Sequence, residues 1–401
     1  MFDGCDSLIE NISGNFADVY AGQRPVFISR ACGRVELLGG HTDYNEGFII
    51  AAAMDKSCLV AVSKRDDDKV CLYSEWAKEK HEFELTNDLE PVDDCRWANY
   101  ARGVAALLLQ EGLKLVGANL YITCDVPVGA GLSSSAALEV SIGKAMMHLS
   151  GPGCEIEPIR LAQICQKAEN TFANSPCGIM DQIVSGMGRK DKAVFLDCRD
   201  LRIEWLPFEG SISSIMIFDS KVKHEVGGGE YGKRRQQCES ACAVLAKKYP
   251  QVKALRDADE SMLESVKDEL NSVVFSRASH VIGENIRVLA AAVALSRNDI
   301  TKFGKLMSES HCSARDLYEI SCEQTDFLVE QICDYDGSYG ARICGGGFGG
   351  SVVAMARPEA TEKISQAVRK AYKDRFGLDC DVYVARPWDG TEIIELSRTK
   401  K

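Results

Sequence analysis

One short segment in the middle of the chain, DVPVGAGLSSSAALE at residues 125–139, restricts the folds that this sequence can adopt. An apolar run at residues 120–124 leads into two glycines and three consecutive serines, and helix-forming residues follow. Glycine lets backbone N–H groups approach a ligand closely, and the first turn of a helix leaves N–H donors without partners. A strand, this turn and a helix in that order predict an anion site of the kind that holds a phosphate.

A simpler interpretation of the same segment is a serine N-cap after a tight turn. One serine is enough for a cap, whereas this segment has three serines and two flanking glycines. The additional hydroxyls would supply further donors and one candidate ligand for Mg²⁺. The phosphate site is therefore the favoured interpretation.

Apolar runs with strand character alternate with helical periodicity along the chain, which indicates α/β or α+β layers. We expect strands at residues 48–54, 58–62, 120–124, 193–196, 212–218, 341–344, 351–356 and 381–385. Helices are expected at residues 97–108, from the glycine–serine turn to residue 147, at 158–172 and over most of 230–330. Because a single core stops growing at roughly 250–300 residues, 401 residues predict two domains, with a boundary near residue 205.

Composition excludes several classes of protein. The net charge of −12, from 47 basic and 59 acidic residues, makes the chain a poor nucleic-acid binder. The 17 cysteines are scattered without a C-x-x-C motif, which excludes a zinc ribbon and favours reduced thiols. The N-terminal residues are polar and acidic, and no apolar run approaches the roughly 18 residues of a membrane span. We therefore expect a cytoplasmic protein without a membrane or nucleic-acid partner.

A second glycine-containing segment, GRVELLGGHTDYNEG at residues 33–47, suggests a binding loop. A hairpin with a polar turn would explain Asn45 and Gly47. It would not explain His41 and Asp43, which are suited to donate to and accept from sugar hydroxyls. Arg34 could belong to the binding loop, or it could pair with surface acids, as a lone arginine often does.

A third segment, ARICGGGFGGS at residues 341–351, formally matches the dinucleotide motif G-x-G-x-x-G. That motif must open a helix, but valines and an alanine in a strand pattern follow it here. We therefore predict a strand–loop–strand. The segment GGGEYGK at 227–233 resembles a P-loop, but Arg234 stands where a Ser or Thr must hold Mg²⁺.

Two carboxylates in the segment at residues 166–182, QKAENTFANSPCGIMDQ, are further candidates. Glu169 lies within a predicted helix. Asp181 lies in an apolar run, where an unpaired carboxylate is costly to bury. A general base and a buried ion pair are equally acceptable interpretations of Asp181.

Taken together, these segments resemble the galactokinase branch of the GHMP small-molecule kinases, from about residue 28 onward. GRVELLGGHTDYNEG, VPVGAGLSSSAALE and GARICGGGFGGSVV match the three motifs of that family in order. CGIMDQIVSGMGRKDKAVFLDCRDL, SHVIGENIRV and SARDLYEISCEQTDFLVE are also similar. The resemblance implies an α+β fold with a ribosomal protein S5 domain 2-like domain (1–205) and a ferredoxin-like domain (206–401). The active site would lie between the two domains.

The resemblance also implies a role for individual residues. Asp181 matches the proposed catalytic base, and Arg34 matches the arginine that stabilises the transition state. Ser135 and Glu169 match the Mg²⁺ ligands. The positions implied to hold the ATP phosphates are Gly129, Ala130, Gly131, Leu132, Ser133, Ser134 and Ser135. The positions implied to contact the sugar are Gly40, His41, Thr42, Asp43, Gly178 and Tyr231.

The implied activity is ATP-dependent phosphorylation of galactose at its anomeric hydroxyl, but one residue departs from the family pattern. Gly40 stands where the family has a glutamate that contacts the C6 hydroxyl of the sugar. The change removes an acceptor and is expected to open space. The alternative substrates are galacturonate, arabinose or a C6-modified galactose, and Gly40→Glu is expected to improve the use of galactose.

A non-catalytic sugar sensor on a kinase fold is an alternative of another class. Because the serines of the central loop, Asp181 and Arg34 are all present, an active enzyme is favoured. Its partners would be a small sugar and ATP with Mg²⁺. The sequence leaves the oligomeric state open, with a monomer favoured.

Overall fold

Two β-sheets organise the chain in the computed structural model, which describes residues 5–222 and 229–396. The strands of the first sheet are β1 (Phe27–Leu38), β2 (Phe48–Lys64), β3 (Lys69–Ser74), β4 (Glu79–Glu84), β5 (Ala118–Cys124), β6 (Lys192–Asp197), β7 (Arg202–Pro207) and β12 (Thr391–Glu395). Six strands follow the order β12-β1-β2-β5-β3-β4. Strand β6 pairs with the N-terminal end of β2, and β7 pairs with β6. Only the β3–β5 pair is parallel among these.

The second sheet is smaller and antiparallel throughout. Its strands are β8 (Ser214–Asp219), β9 (Ser338–Cys344), β10 (Ser351–Ala356) and β11 (Asp381–Ala385), in the order β11-β8-β10-β9. All six residues of β8 and of β10 are buried, as expected for central strands that are covered on both faces.

The helices lie around and between the two sheets. They are α1 (Cys5–Val19), α2 (Ala98–Gln110), α3 (Ser134–Ser150), α4 (Pro158–Thr171), α5 (Met180–Met187), α6 (Glu230–Lys248), α7 (Glu260–Glu264), α8 (Ser272–Ser296), α9 (Ile300–Ser313), α10 (Glu323–Cys333) and α11 (Thr361–Phe376). Helix α3 packs against β1 and β2, and α2, α4 and α5 pack against α3. Helix α8 contacts β1, β2 and α9, and α9 packs on β9, so the two helices link the first sheet to the second.

Strand β1 explains why the site forms where it does. All twelve of its residues are buried, yet Arg30, Arg34 and Glu36 carry charge. A buried charge is stable only when it is paired and hydrogen-bonded, so each of these side chains must have a partner from another element. The partners of Arg34 and Glu36 come from α5 and β9, which are distant in sequence.

The two-domain α+β fold that the sequence predicted is confirmed, but two details differ. The strands expected at residues 48–54 and 58–62 form one continuous strand, β2, which stays paired with β1 through two register shifts. The domain boundary at residue 205 stays a prediction. It falls inside β7, and β12 pairs with β1 although it follows the second sheet in sequence.

One helix, α8, is long and apolar enough to cross a membrane by length and composition alone. More than half of its most apolar window is buried inside the protein, at 56%. That burial is typical of a core helix.

Candidate active site

The glycine- and serine-rich loop before α3 reaches the surface but is fixed at its base. Gly129 and Gly131 have φ angles of 79° and 70°, a left-handed conformation that glycine adopts without strain. Between them, Ala130 is fully buried, and its carbonyl accepts a hydrogen bond of 2.7 Å from Ser351 Oγ. Because Ser351 lies in β10, the second sheet holds the loop in place.

The first turn of α3 supplies the donors of this loop. The helix begins at Ser134 and is 17 residues long, and its first turn contains no acidic residue. Ser133, just before it, has a left-handed φ of 55°. The unpaired N–H groups and the positive end of the helix dipole meet at the loop, as expected for an anion site.

Arg34 on β1 joins the loop to a carboxylate on α5. Its Nε and Nη2 donate to the two carboxylate oxygens of Asp181, both at 2.7 Å, and its Nη1 donates to Gly131 O at 2.6 Å. Ser133 Oγ donates to Asp181 Oδ2 as well. The two predicted catalytic residues and the predicted phosphate loop thus form one hydrogen-bonded unit.

The charges of this pair are secured by their surroundings. Burial opposes the charge of Arg34, but the Asp181 carboxylate outweighs it and raises the pKa of Arg34. Of the two interpretations that the sequence left open for Asp181, the structure contains the ion pair. The Asp181 side chain nevertheless remains 19% exposed, so a substrate can reach it.

Glu169 on α4 lies next to the loop. Burial raises the pKa of Glu169, and a hydrogen bond with Ser135 opposes that rise. Gln182 Nε2 donates to Glu169 Oε2 at 2.8 Å and to Glu139 Oε2 at 3.2 Å. Glu139 is fully buried, and burial raises its pKa well above the ordinary value. One amide therefore orients both carboxylates.

The hydroxyl of Ser135 and the carboxylate of Glu169 fit Mg²⁺, which prefers oxygen ligands. Mg²⁺ is usually held by one or two carboxylates together with substrate phosphates and water. Within the described ranges, no group of three or more His, Cys, Asp or Glu side chains is arranged to hold a metal. Two oxygen ligands from the protein are compatible with a Mg²⁺ ion that nucleotide phosphates also bind.

The turn between β1 and β2 is held rigidly. Gly39 has a φ of 104°, and a Cβ at this position would lie 2.6 Å from Phe48 O. The Thr42 hydroxyl is fully buried and donates to Gly39 O and Phe48 O at 2.8 and 2.7 Å. The carboxylate of Glu284 on α8 accepts a 3.0 Å hydrogen bond from Gly39 N. The predicted sugar loop therefore has a fixed shape.

Asp43 lies on this turn, close to two other carboxylates. Burial raises the pKa of Asp43 to about 6, and the nearby charges of Glu36 and Asp181 add to the rise. A Cβ on Gly178 would overlap Asp43 Oδ2, so a larger residue at position 178 would force the Asp43 side chain to move. The segment before α5 and the sugar loop thus meet at Asp43, beside the Arg34–Asp181 pair.

His41 lies on the other side of the turn and is 5% exposed. Its Nδ1 is 2.8 Å from the hydroxyl of Tyr44, which is 2.7 Å from the hydroxyl of Tyr318. Burial lowers the pKa of His41 to about 3, so its ring is neutral at physiological pH. The side chain of Tyr231, the remaining predicted sugar contact, lies outside the described part of the chain.

The expectation of open space beside Gly40 is wrong. A Cβ at Gly40 would lie 2.6 Å from Arg342 Nη2 and 3.3 Å from Glu36 Oε1. Arg342 Nη1 donates to Glu36 Oε1 at 2.5 Å, and both side chains are almost fully buried. The guanidinium of Arg342 therefore fills the space beside Gly40 that the sequence predicted to be open.

Four residues of the site were not predicted from the sequence, namely Glu36, Gln182, Arg342 and Ser351. A signal existed for Glu36: β-strand side chains alternate, so Glu36 lies on the same face as Arg34. The sequence carries no comparable signal for Arg342, because its partner is 306 residues away.

Two segments, at residues 341–351 and 227–233, resembled nucleotide-binding motifs of other folds. The glycines after β9 lead directly into β10, so the predicted strand–loop–strand is confirmed and a dinucleotide fold is excluded. The second segment, at 227–233, falls partly on residues outside the described ranges.

Comparison with known protein families gives three matches. The model described as GHMP kinases N terminal domain matches residues 99–189, and the model GHMP kinases C terminal matches residues 291–374. A galactokinase galactose-binding signature matches residues 14–64, which include β1, the turn and β2. The order of these matches agrees with the order of the motifs read from the sequence.

Individual relatives agree with the family models. A galactokinase of Roseiflexus sp. is 40% identical over 92% of this chain and 93% of its own length. A galactokinase of Chloroflexus aggregans is 40% identical over 94% of this chain and 96% of its own.

Solved structures extend the comparison. Lactococcus lactis galactokinase, solved in complex with galactose, is 30% identical with a TM-score of 0.90, covering 96% of this chain and 99% of that one. Methanococcus jannaschii mevalonate kinase shares the fold, with a TM-score of 0.62 and 16% identity over 90% of this chain and 98% of its own.

Proposed function

The chain belongs to the galactokinase family of GHMP kinases, and from this premise we propose that it transfers the terminal phosphoryl group of ATP to the anomeric hydroxyl of galactose. The observation that carries this function is the unit formed by Arg34, Asp181 and the loop carbonyl of Gly131. Phosphoryl transfer depends mainly on positioning and on charge stabilisation, and this unit places a cation and an acceptor next to an anion site.

Asp181 would accept a hydrogen bond from the hydroxyl that attacks the phosphoryl group. Both of its oxygens already accept from Arg34, and one of them also accepts from Ser133. Because a carboxylate offers about four lone-pair sites, room remains for the substrate hydroxyl. We propose that Asp181 orients this hydroxyl and receives its proton as the new bond forms, while Arg34 stabilises the charge that develops on the transferred group.

Mg²⁺ would be held by Ser135 and Glu169 and would neutralise the phosphate charge. Gln182 fixes the orientation of the Glu169 carboxylate. The phosphates would bind to the residues from Gly129 to Ser135, where the N–H donors of α3 are available.

We propose that the sugar binds on the turn at Gly40, His41 and Asp43, beside Gly178, with Tyr231 as a further contact. Asp43 would accept from a ring hydroxyl. Thr42 has a different role in this proposal, because its hydroxyl is fully buried and bonded to two backbone carbonyls. It shapes the turn and does not touch the sugar. For the whole protein we propose a cytoplasmic location and a monomer.

The proposal is tested by measuring ATP-dependent phosphorylation of galactose, galacturonate, arabinose and galactosamine side by side. We expect galactose to be preferred by a large factor in kcat/KM. In Asp181→Asn, kcat for galactose is expected to fall by about 10²- to 10⁴-fold because the proton acceptor is lost. Calorimetry should show that the variant still binds galactose.

Asp66→Asn is the matched control, because it makes the same change at an exposed position in the turn after β2. It should leave kcat unchanged, and thermal unfolding of both variants checks that they are folded. A protein that binds galactose and ATP without releasing ADP would be a sugar sensor and would contradict the proposal. Preference for galacturonate or arabinose would contradict the assigned substrate.

A further inference from the structure

The ion pair between Glu36 and Arg342 connects the two sheets at the sugar loop. Glu36 lies in β1, and Arg342 lies in β9. Burial opposes the charge of Arg342, but the carboxylates of Glu36 and Glu284 outweigh it and raise its pKa. Such a pair tolerates little change, since removing one partner leaves a buried charge without compensation.

The position of Glu36 along β1 relates it to the reaction centre. Arg34 and Glu36 pair with Ala53 and Ala51 of β2 without a register shift between them, so their side chains lie on the same face. Two residues along a strand span about 7 Å. Glu36 is therefore displaced from the Arg34–Asp181 pair by roughly the width of one sugar ring, on the side of Gly40.

Glu36 also has acceptor capacity left for a ligand. Its Oε1 accepts from Arg342, which is the one side-chain hydrogen bond of Glu36 among the described residues and leaves Oε2 available. Glu36 Oε1 would lie 3.3 Å from a Cβ at Gly40, which places its carboxylate beside the turn proposed to bind the sugar. A carboxylate that Arg342 holds in a fixed orientation is well suited to accept from a hydroxyl.

The surrounding charges favour a neutral sugar over an acidic one. Around the Glu36–Arg342 pair, Asp181 is paired with Arg34 and Glu284 with Arg287, and Asp43 adds one further carboxylate. A sugar carboxylate at this end of the site would meet like charges, because the guanidinium of Arg342 is already paired with Glu36.

We propose that Glu36 is a substrate-binding residue of this enzyme and that Arg342 is its positioning residue. In this arrangement Glu36 accepts a hydrogen bond from the hydroxyl on C4 or C6 of the sugar, at the end opposite the anomeric carbon. The pair thereby takes the place of a side chain at position 40. This inference rests on the proposed function for the identity of the sugar, but its test uses binding without ATP.

The test measures calorimetric binding of galactose, 6-deoxygalactose, 4-deoxygalactose and 2-deoxygalactose to the wild type and to Glu36→Gln. For galactose, the variant should raise Kd about 10- to 100-fold, the effect of losing a charged hydrogen bond. For either the 6-deoxy or the 4-deoxy sugar, the Kd values of wild type and variant should differ by less than about 3-fold, because the hydroxyl that Glu36 binds is missing. For 2-deoxygalactose the full loss should persist.

Gly40→Ala provides a second variant that keeps Glu36 itself. Its Cβ would displace the Arg342 guanidinium, so it should produce the same pattern among the sugars. The sequence alone predicted that Gly40→Glu would improve the use of galactose. The inference predicts the opposite, namely that Gly40→Glu weakens galactose binding. Glu204→Gln, an exposed glutamate of β7, is the matched control and should change no Kd.

Three outcomes would overturn the inference. An equal loss of affinity for all four sugars would indicate a purely structural role for Glu36, and an unchanged Kd for galactose would exclude contact. In a parallel titration of the wild type with galacturonate, binding tighter than that of galactose would mean that Arg342 faces the sugar instead. Binding of galactose with the expected pattern but without ADP release would refute the proposed function alone, whereas absence of galactose binding to the wild type would refute both.

Discussion

At the scale of single residues, the site consists of charges that would be unstable without their neighbours. The sequence identified Arg34, Asp181 and Asp43 because each stands in a motif with an unusual neighbourhood. It did not identify the Glu36–Arg342 pair, because pairing across 306 residues depends on how two sheets come together. For the same reason the sequence predicted an empty space at Gly40, where the fold brings in a guanidinium.

Asp43 leads to a prediction about stability and pH. Its pKa is about 6 in the folded protein, above the ordinary value of 3.8, so folding favours the protonated form. The stability contributed by this group is fully present below pH 3.8 and is lost as the pH rises through 6. Asp43→Asn should therefore gain stability relative to the wild type as the pH rises from about 4, and the gain should level off at about 1–3 kcal/mol above pH 6.

Urea unfolding at several pH values measures this difference. The Asp66→Asn variant, which changes an exposed aspartate, should track the wild type at every pH. A stability difference between Asp43→Asn and the wild type that does not vary with pH would show that Asp43 is not destabilised by its burial.

At the scale of elements, periodicity was a good guide wherever one element packs against another. The helix predicted at 97–108 forms as α2, and its buried positions include Ala101, Val104 and Leu108. The merging of two predicted strands into β2 was not foreseeable, because Asp55 and Lys56 interrupt the apolar pattern without interrupting the strand. The loop before α3 was identified, but its anchor at Ser351 required knowledge of where β10 lies.

The packing of α9 on β9 leads to a second prediction. A Cβ at Gly304 would overlap the carbonyl group of Tyr339, so this helix lies directly against the strand that carries Arg342. Gly304→Ala should lower the free energy of unfolding by about 1–3 kcal/mol, because the helix must move away from the strand. Chemical denaturation of the purified variant provides the measurement.

Gly14→Ala is the matched comparison, since Gly14 lies in α1 with open space around its Cβ position. There alanine should raise stability by about 0.5–1 kcal/mol through helix propensity. If both substitutions changed the free energy of unfolding in the same direction, the close approach of α9 to β9 would not limit the packing.

At the scale of the whole molecule, chain length predicted two domains, and the two-domain fold is confirmed. Chain length gave no indication that β12 pairs with β1. Phe27 to Ala31 pair with Glu395 to Thr391, and Thr391 Oγ1 donates to Gly186 O. The first sheet is thus completed by residues that follow the second sheet, a connection that no local pattern specifies.

A truncation tests the importance of this connection. A chain that ends after Gly390 lacks β12 and leaves the edge of β1 without its partner strand. We expect a fall of several degrees in the midpoint of thermal unfolding and a smaller soluble fraction, because an unpaired strand edge promotes aggregation.

A chain that ends after Leu396 keeps β12 and serves as the control, with an unfolding midpoint expected at the wild-type value. Equal midpoints for the two truncated chains would mean that β12 contributes nothing measurable to stability.

The pairing of β12 with β1 also has a consequence for synthesis on the ribosome. Strand β1 carries Arg34 and Glu36 and is among the first segments to be made, but one of its edges finds its partner only after several hundred further residues. Domains generally fold as units while the chain grows, yet here the first unit cannot be completed before the second has emerged. A nascent chain would therefore hold one edge of this charge-bearing strand unpaired for most of its synthesis, which is the period in which a chaperone has most to protect.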